Sequence, residues 1–71
     1  MTLNGLAIGH PLKLRDGRLA RYSGKLDPRA YYEGAHRVYI PSELVSYIYE
    51  DSGRVWPRTK TPDQSDVVEI L

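Results

Sequence analysis

Two histidines, His10 and His36, are the most versatile chemical groups of the chain, because imidazole serves both in acid–base catalysis and as a metal ligand. Both roles need partner side chains at a suitable spacing, and no carboxylate spacing near either histidine indicates a ligand set. The chain has no cysteine, no phosphate-binding glycine motif and no nucleophile-elbow motif. Serines could meet a histidine in the folded chain, but a domain of this size has little room for a deep, water-excluding pocket. We therefore expect a non-enzymatic protein without a metal or cofactor.

Basic side chains are concentrated between residues 10 and 37, where seven lysines and arginines accompany three acidic residues. Residues 38–71 have the opposite balance, with three basic and six acidic side chains. A basic half with interleaved tyrosines is typical of a surface that follows phosphates. The alternative is that the two halves pair within one fold and neutralise each other, which the net charge of +1 favours.

Arginine and tyrosine, the residue types that contribute most to protein interfaces, also occur in a segment rich in turn residues. Residues 23–36 contain Gly24, Asp27-Pro28 and Gly34, which predicts a loop, and a loop of this length in a small domain often has a function. The sequence leaves open whether the six tyrosines form a core with wet edges or an exposed binding face. The predicted partner-binding residues are Arg29, Tyr31, Tyr32, His36, Arg37 and Tyr39. The predicted nucleic-acid contacts are Lys13, Arg15, Arg18 and Arg21.

A hairpin over residues 12–22 is the element that the sequence predicts most clearly, and it would position several of these residues. Asp16-Gly17 suits a two-residue hairpin turn, because both positions tolerate a positive φ angle. Such a turn places Arg15 opposite Arg18. It also places Leu14 opposite Leu19, so that these leucines share one face. The basic side chains predicted on the other, solvated face are Lys13, Arg15 and Arg18.

The remaining chain also predicts short strands, since turn signals follow one another at close intervals. Residues 37–40 are typical of a strand, which Pro41 ends. Residues 42–50 fit a helix with a capping serine or a strand, and their β-branched and aromatic residues favour the strand. Residues 54–56 would return as the second arm of a hairpin, and residues 67–71 close the chain as a short apolar strand.

A chain of 71 residues predicts one domain, here residues 1–71. We expect a mainly β fold with five or six short strands and at most one short helix. In so small a domain, a strongly bent antiparallel sheet or an SH3-like small barrel is the expected way to cover the strand edges. No apolar run is long enough for a membrane span, and residues 1–9 lack the basic segment of a signal peptide. We therefore expect a soluble cytoplasmic protein with no membrane partner.

Three short motifs are similar to those of small accessory proteins of phages and prophages. They are Arg15-Asp16-Gly17-Arg18, the Tyr-x-x-x-Gly-Arg hairpin of residues 49–54, and the closing strand Asp66-Val67-Val68-Glu69-Ile70. Together they span most of the chain. The resemblance implies a small β fold without enzymatic machinery. Because many small phage proteins bind and block a host protein, it also implies a host protein as the partner.

Residues 24–48 resemble a different family, the wing and following helix of the MerR class of DNA-binding regulators. The matching residues are Gly24-Lys25-Leu26-Asp27-Pro28, then Glu33-Gly34-Ala35-His36-Arg37-Val38-Tyr39, then Glu43-Leu44 and Ile48. The resemblance implies that Arg37 contacts phosphates. It departs upstream, where the family has a helix-turn-helix but this chain has Pro11 and Asp16-Gly17, which break helices.

Three functional interpretations follow from the sequence. The first is an accessory protein, of phage origin, that binds and can inhibit a host protein in the host cytoplasm. The second is a small nucleic-acid-binding module of the winged-helix, MerR-like or excisionase type. The third is a structural homo-oligomer that pairs through an exposed edge strand at residues 67–71.

Overall fold

The computed structural model describes residues 1–31, 34–57 and 60–71, and their backbone forms a single five-stranded antiparallel sheet. The strands are β1 (Pro11–Leu14), β2 (Leu19–Lys25), β3 (His36–Ile40), β4 (Val45–Tyr49) and β5 (Val67–Ile70). Their order across the sheet is β4-β3-β2-β1-β5. The predicted mainly β fold is therefore confirmed. The ambiguous segment, residues 42–50, forms a turn and then a strand rather than a helix.

The strands form because apolar and polar residues alternate along them, so that one side of the sheet is buried. On β1 the buried side chains are Leu12 and Leu14, and on β3 they are Val38 and Ile40. The core also contains Tyr49 of β4 and a residue from outside the sheet, Leu3, both with no exposed surface. The described parts of the chain contain no helix that is long and apolar enough to span a membrane.

The turn between β1 and β2 differs from the predicted two-residue turn. The amide of Gly17 donates to the carbonyl of Leu14 at 3.0 Å, and the amide of Leu14 donates to the carbonyl of Arg18 at 2.9 Å. Leu14 therefore opposes Arg18 across a three-residue loop. Gly17 has a φ of 95°, whereas Asp16 does not have the positive φ that a type I′ turn requires.

The one-residue change in register reverses the predicted faces of β2. Leu19 lies opposite Lys13, rather than opposite Leu14, and it points outward with 62% of its surface exposed. Ala20 and Tyr22 take the buried positions instead. Arg18, predicted on the solvated face with Lys13, turns toward the buried side and is partly covered.

The sheet is bent, so that the segment following β4, at one edge of the sheet, reaches β5 at the other edge. The β2–β3 pairing shifts register between Tyr22 and Gly24, and the β1–β5 pairing shifts between Lys13 and Leu14. Such irregularities increase the local bend and twist of a sheet. The amide of Val67 donates to the carbonyl of Gly53 at 2.8 Å, so the segment after β4 covers the start of β5.

Two predicted segments have different limits in the structure. Strand β2 continues to Lys25 and β3 starts at His36, so the connection spans residues 26–35 rather than 23–36. The predicted returning arm at residues 54–56 makes one isolated bridge, between Val55 and Tyr49, instead of a full strand. The predicted strand at residues 67–71 is confirmed over Val67–Ile70.

Leu44 in the β3–β4 turn predicts a stabilising substitution. It has a φ of 54°, a conformation that costs a non-glycine residue about 1 kcal/mol, and 78% of its surface is exposed. We expect Leu44→Gly to raise the free energy of unfolding by about 0.5–1 kcal/mol, because glycine adopts this φ without strain and little burial is lost. Urea unfolding checks this. Leu19→Gly, at an exposed strand position, is the control and should be destabilising, whereas equal losses in both variants would contradict the strain argument.

Candidate functional site

The side of the sheet that faces away from the core brings basic, aromatic and apolar residues together. In the strand pairing, Arg21 lies opposite both Pro11 and Tyr39, and Lys13 lies opposite Leu19. Directly opposed residues of antiparallel strands point to the same side. We call this surface the outer face and define it by Pro11, Lys13, Leu19, Arg21, Arg37, Tyr39, Pro41 and Leu71.

An apolar groove of about 490 Å³ crosses the outer face. Its apolar walls come from Pro11, Leu19, Pro41 and Leu71, which belong to different parts of the sequence. Leu19 and Leu71 are 62% and 47% exposed, so the groove is open to solvent. An open apolar groove with a polar rim is typical of a site where a partner's side chain is buried.

Three exposed cations of the outer face have no carboxylate partner among the described residues, and one of them, Arg21, lines the groove. Within the described ranges, Lys13, Arg21 and Arg37 take part in no ion pair. The Arg21 guanidinium donates to the carbonyl of Gly9 at 2.9 Å, which fixes its position without neutralising its charge. On the same face, one acidic residue, Glu69, lies opposite Lys13 on β5. The outer face is therefore positively charged.

The structure combines members of the two predicted contact sets on this face. Arg37 and Tyr39, predicted to bind a protein, lie on β3 beside Arg21 of β2, predicted to contact nucleic acid. Lys13 joins them from β1. The strand pairing therefore makes members of the two sets neighbours on one surface.

The other predicted contact residues lie elsewhere. Arg29 is exposed in the connection between β2 and β3, where it pairs with Asp27 at 3.3 Å. Tyr31 is partly buried in the same connection. Tyr32, also predicted to bind a partner, lies outside the described residues.

Two predicted nucleic-acid contacts are engaged within the fold. Arg18 hydrogen-bonds the Ser65 hydroxyl at 2.6 Å and makes ion pairs with Asp16 and Glu43. Arg15, which is about half exposed, lies 3.6 Å from the carboxylate of Asp66. Arg18 also lines the outer-face groove, but Asp16 and Glu43 compete with a separate molecule for its charge, as Asp66 does for the charge of Arg15.

His36 was predicted as a contact residue, but it is fully buried. Its Nε2 lies 2.9 Å from Asp51 Oδ1, and its Nδ1 lies 2.7 Å from the Tyr22 hydroxyl. Because a carboxylate only accepts hydrogen bonds, Nε2 carries a proton and donates it to Asp51. In the neutral ring Nδ1 then accepts from Tyr22, so both nitrogens have partners inside the fold.

The chain of hydrogen bonds that joins Tyr22, His36 and Asp51 follows the order of a proton relay, but it lies away from the groove and serves the fold. The Tyr22 side chain lies in the core, and burial, followed by the nearby negative charge of Asp51, raises the pKa of its hydroxyl. Neither this hydroxyl nor His36 lines the outer-face groove. The chain instead joins β2 and β3 to residues 2–4, since Asp51 also accepts from the Thr2 hydroxyl and from the Asn4 amide. It fastens the segment before β1 to the sheet.

The lowered pKa of Asp51 predicts that part of the free energy of unfolding is lost in acid. The hydrogen bond from Thr2 holds the pKa of the Asp51 carboxyl below its ordinary value; burial opposes this, and contacts from His36 and Asn4 add to the lowering. Because the folded pKa is the lower one, ionised Asp51 stabilises the fold above the unfolded pKa of about 3.9. That contribution is lost as the pH falls through the folded pKa.

The measurement is urea unfolding of the wild type and of Asp51→Asn between about pH 7 and about pH 2.5. We expect the wild type to be the more stable at neutral pH and the difference between the two proteins to shrink below about pH 4. A difference that stays constant across this range would contradict the linkage to Asp51.

Sequence reasoning identified the charged and aromatic residues of the outer face but missed its groove. The prolines and Leu71 carry no chemical signal of their own, and Leu19 was predicted on the opposite side. The signal that could have found the groove is the three-residue alternative for the Asp16-Gly17 turn, which turns Leu19 outward. Among the described residues, no three histidine or acidic side chains are placed to hold a metal ion.

Comparisons with known proteins identify no relative that could indicate a function for the outer face. No family model matches the chain, and neither a curated protein nor a solved structure is significantly similar to it.

Proposed function

We propose that this protein is a non-enzymatic binding protein whose outer face docks onto another protein. The observation that carries the proposal is the open apolar groove next to exposed cations that have no carboxylate partner in the described structure. Arginine and tyrosine beside an apolar pocket are the combination from which protein interfaces obtain most of their binding energy.

The groove favours a protein over nucleic acid as the partner. A phosphate-following surface depends on cations along its length, whereas the centre of this face is walled by prolines and leucines. Two of the four basic residues predicted to contact nucleic acid, Arg15 and Arg18, form ion pairs within the fold. Of the other two, Arg21 lines the groove and Lys13 lies opposite its wall residue Leu19, where they suit acidic side chains of a protein.

The accessory-protein resemblance agrees with this proposal. A small β domain without an enzymatic motif can act by covering a surface of a larger protein. We propose that the partner is a host protein and that the complex forms in the host cytoplasm. Inhibition of the partner is then a direct consequence of covering its surface.

The test uses the tagged protein to capture partners from bacterial lysate with and without nuclease treatment, followed by mass spectrometry and titration with the purified partner. We expect a protein that is retained in both samples. Arg37→Glu and Tyr39→Ala should each lower the affinity for it by about 1–2 kcal/mol or more, because both residues lie on the outer face.

Arg29→Glu is the matched control, since Arg29 is exposed but lies in the connection after β2. It should bind like the wild type. Recovery of nucleic acid, with binding that weakens steeply as salt rises, would replace the proposal with the nucleic-acid alternative. Unchanged affinity in both outer-face variants would reject this face as the interface.

A further inference from the structure

We infer that the outer-face groove takes a bulky apolar side chain from an extended acidic segment of the partner protein, with flanking carboxylates on Arg21 and Lys13. This inference rests on the proposed function and specifies the chemistry of the partner. Two features of the described structure carry it, the composition of the groove walls and the distribution of charge around them.

The groove walls specify an apolar anchor. Leu19 on β2 and Pro41 after β3 lie on one side of the sheet, and Pro11 and Leu71 complete the groove. With 62% of its surface exposed, Leu19 gains burial only when another molecule covers it. Removing apolar area from water is favourable, so a leucine or aromatic side chain placed here strengthens binding.

The charges around the groove specify acidic neighbours of that anchor. Pro11 and Arg21 are directly paired, so the Arg21 side chain starts at the groove wall, and Lys13 is directly paired with Leu19. Both cations lack an ion pair with any described carboxylate. A segment with Asp or Glu on each side of an apolar residue supplies these pairs, and its charge also speeds association.

Charge also argues against a second copy of this chain as the occupant. Two outer faces in contact would bring the three cations of each copy together, and these like charges repel. Each copy would offer one carboxylate on this face, that of Glu69 opposite Lys13. Five other acidic side chains of the described chain are already engaged or buried. Asp66 is buried, and Asp16, Asp27, Glu43 and Asp51 pair with neighbouring side chains.

The experiment selects binders from a yeast-displayed library of random dodecapeptides with the folded, full-length protein. We expect enriched peptides to share one bulky apolar residue with Asp or Glu within a few positions on either side. The strongest peptide is then synthesised and titrated into the ¹⁵N-labelled protein, where amide shifts should concentrate on residues 11–13, 19–21 and 37–41.

Two variants test the residues named in the inference. Leu19→Ser and Arg21→Glu should each weaken the peptide about tenfold or more, equivalent to about 1.4 kcal/mol. Tyr47→Ser is the control for exposed apolar surface, since Tyr47 lies beside a second, smaller groove, and Arg29→Glu is the control for charge. Both controls should bind within about twofold of the wild type. Circular dichroism should show that Leu19→Ser keeps its fold, because Leu19 contributes little to the core.

Each alternative outcome rejects a defined part of the argument. Enriched peptides that are basic or lack an apolar anchor, or peptides whose binding ignores Leu19→Ser, would overturn the inferred partner chemistry. If the purified protein partner still depends on Arg37 and Tyr39 in that case, the proposed interface stands and only this inference fails. A second copy would be the occupant if no peptide is selected and the protein dimerises with rising concentration, more strongly in Arg21→Glu. That result would also overturn the inferred partner chemistry.

Discussion

Replacing Asp66 by alanine is expected to lower the free energy of unfolding by about 3–5 kcal/mol. A domain of 71 residues has a total stability of roughly 4–10 kcal/mol at ordinary values per residue. The substitution should therefore remove about half of the stability of the domain, although Asp66 is smaller than the leucine and tyrosine side chains of the core.

The reason is the number of groups that this one carboxylate joins. Asp66 is 1% exposed, and its Oδ1 accepts the Val55 amide at 2.9 Å. Its Oδ2 accepts the Asp63 amide at 2.9 Å and lies 3.1 Å from Arg54 Nε and 3.6 Å from the Arg15 guanidinium. Alanine removes the acceptor for two backbone amides and the buried anion for two arginines in one step. The two amides are then left as partly buried donors without this acceptor, and an unsatisfied buried donor is costly in a folded protein.

Urea unfolding followed by circular dichroism measures the effect. Asp66→Asn is the informative companion, because its amide oxygen can still accept from Val55, while its NH₂ group faces the Asp63 amide and Arg54. It should also be destabilising, though less so than alanine. Asp27→Ala is the control at an exposed carboxylate with only local partners, and its stability should stay close to that of the wild type. A loss in Asp66→Ala no larger than in this control would disprove the role of Asp66 as a hub.

The general fold could be predicted from the sequence because strand alternation and turn residues are local signals. Residues 37–40 alternate between polar and apolar positions before Pro41, and residues 67–71 are mainly apolar and follow Asp66. The structure has strands at both places. Residues 42–50 could be assigned to a strand because β-branched and aromatic side chains fit a half-buried sheet.

The register of the first hairpin could not be fixed by the same signals. Asp16-Gly17 is compatible with a two-residue turn and with a three-residue loop in which only Gly17 has a positive φ. The two alternatives place opposite sides of β2 in the core. The position of Leu19, and with it the apolar groove of the candidate site, depended on this choice.

The partners of buried polar groups were also beyond local reasoning. Asp66 and His36 have ordinary sequence neighbours, and the groups that satisfy them come from distant residues such as Val55, Tyr22 and Asp51. Arg37 and Tyr39 could be proposed as contact residues from their types. That they lie next to Arg21 follows only from the pairing of β2 with β3.

His36→Phe is the second substitution expected to have a large effect, lowering the free energy of unfolding by about 2–3 kcal/mol. Phenylalanine keeps an aromatic ring of similar size but has no ring nitrogen. The Tyr22 hydroxyl then loses its acceptor inside the core, and Asp51 loses the donor at 2.9 Å. Because Asp51 is about half exposed and keeps the hydrogen bonds from Thr2 and Asn4, most of the cost should arise at Tyr22.

A double-mutant cycle separates this cause from a poor fit of the larger ring. Tyr22→Phe alone should cost about 1–2 kcal/mol, since it leaves Nδ1 of His36 unpaired. The double variant should cost less than the sum of the single variants by about 1 kcal/mol, because neither unpaired group remains. Additive losses would mean that the Tyr22–His36 hydrogen bond contributes nothing. A non-additive result would establish the Tyr22–His36 hydrogen bond as a stabilising contact of the core, which accounts for the burial of a histidine that was predicted as a contact residue.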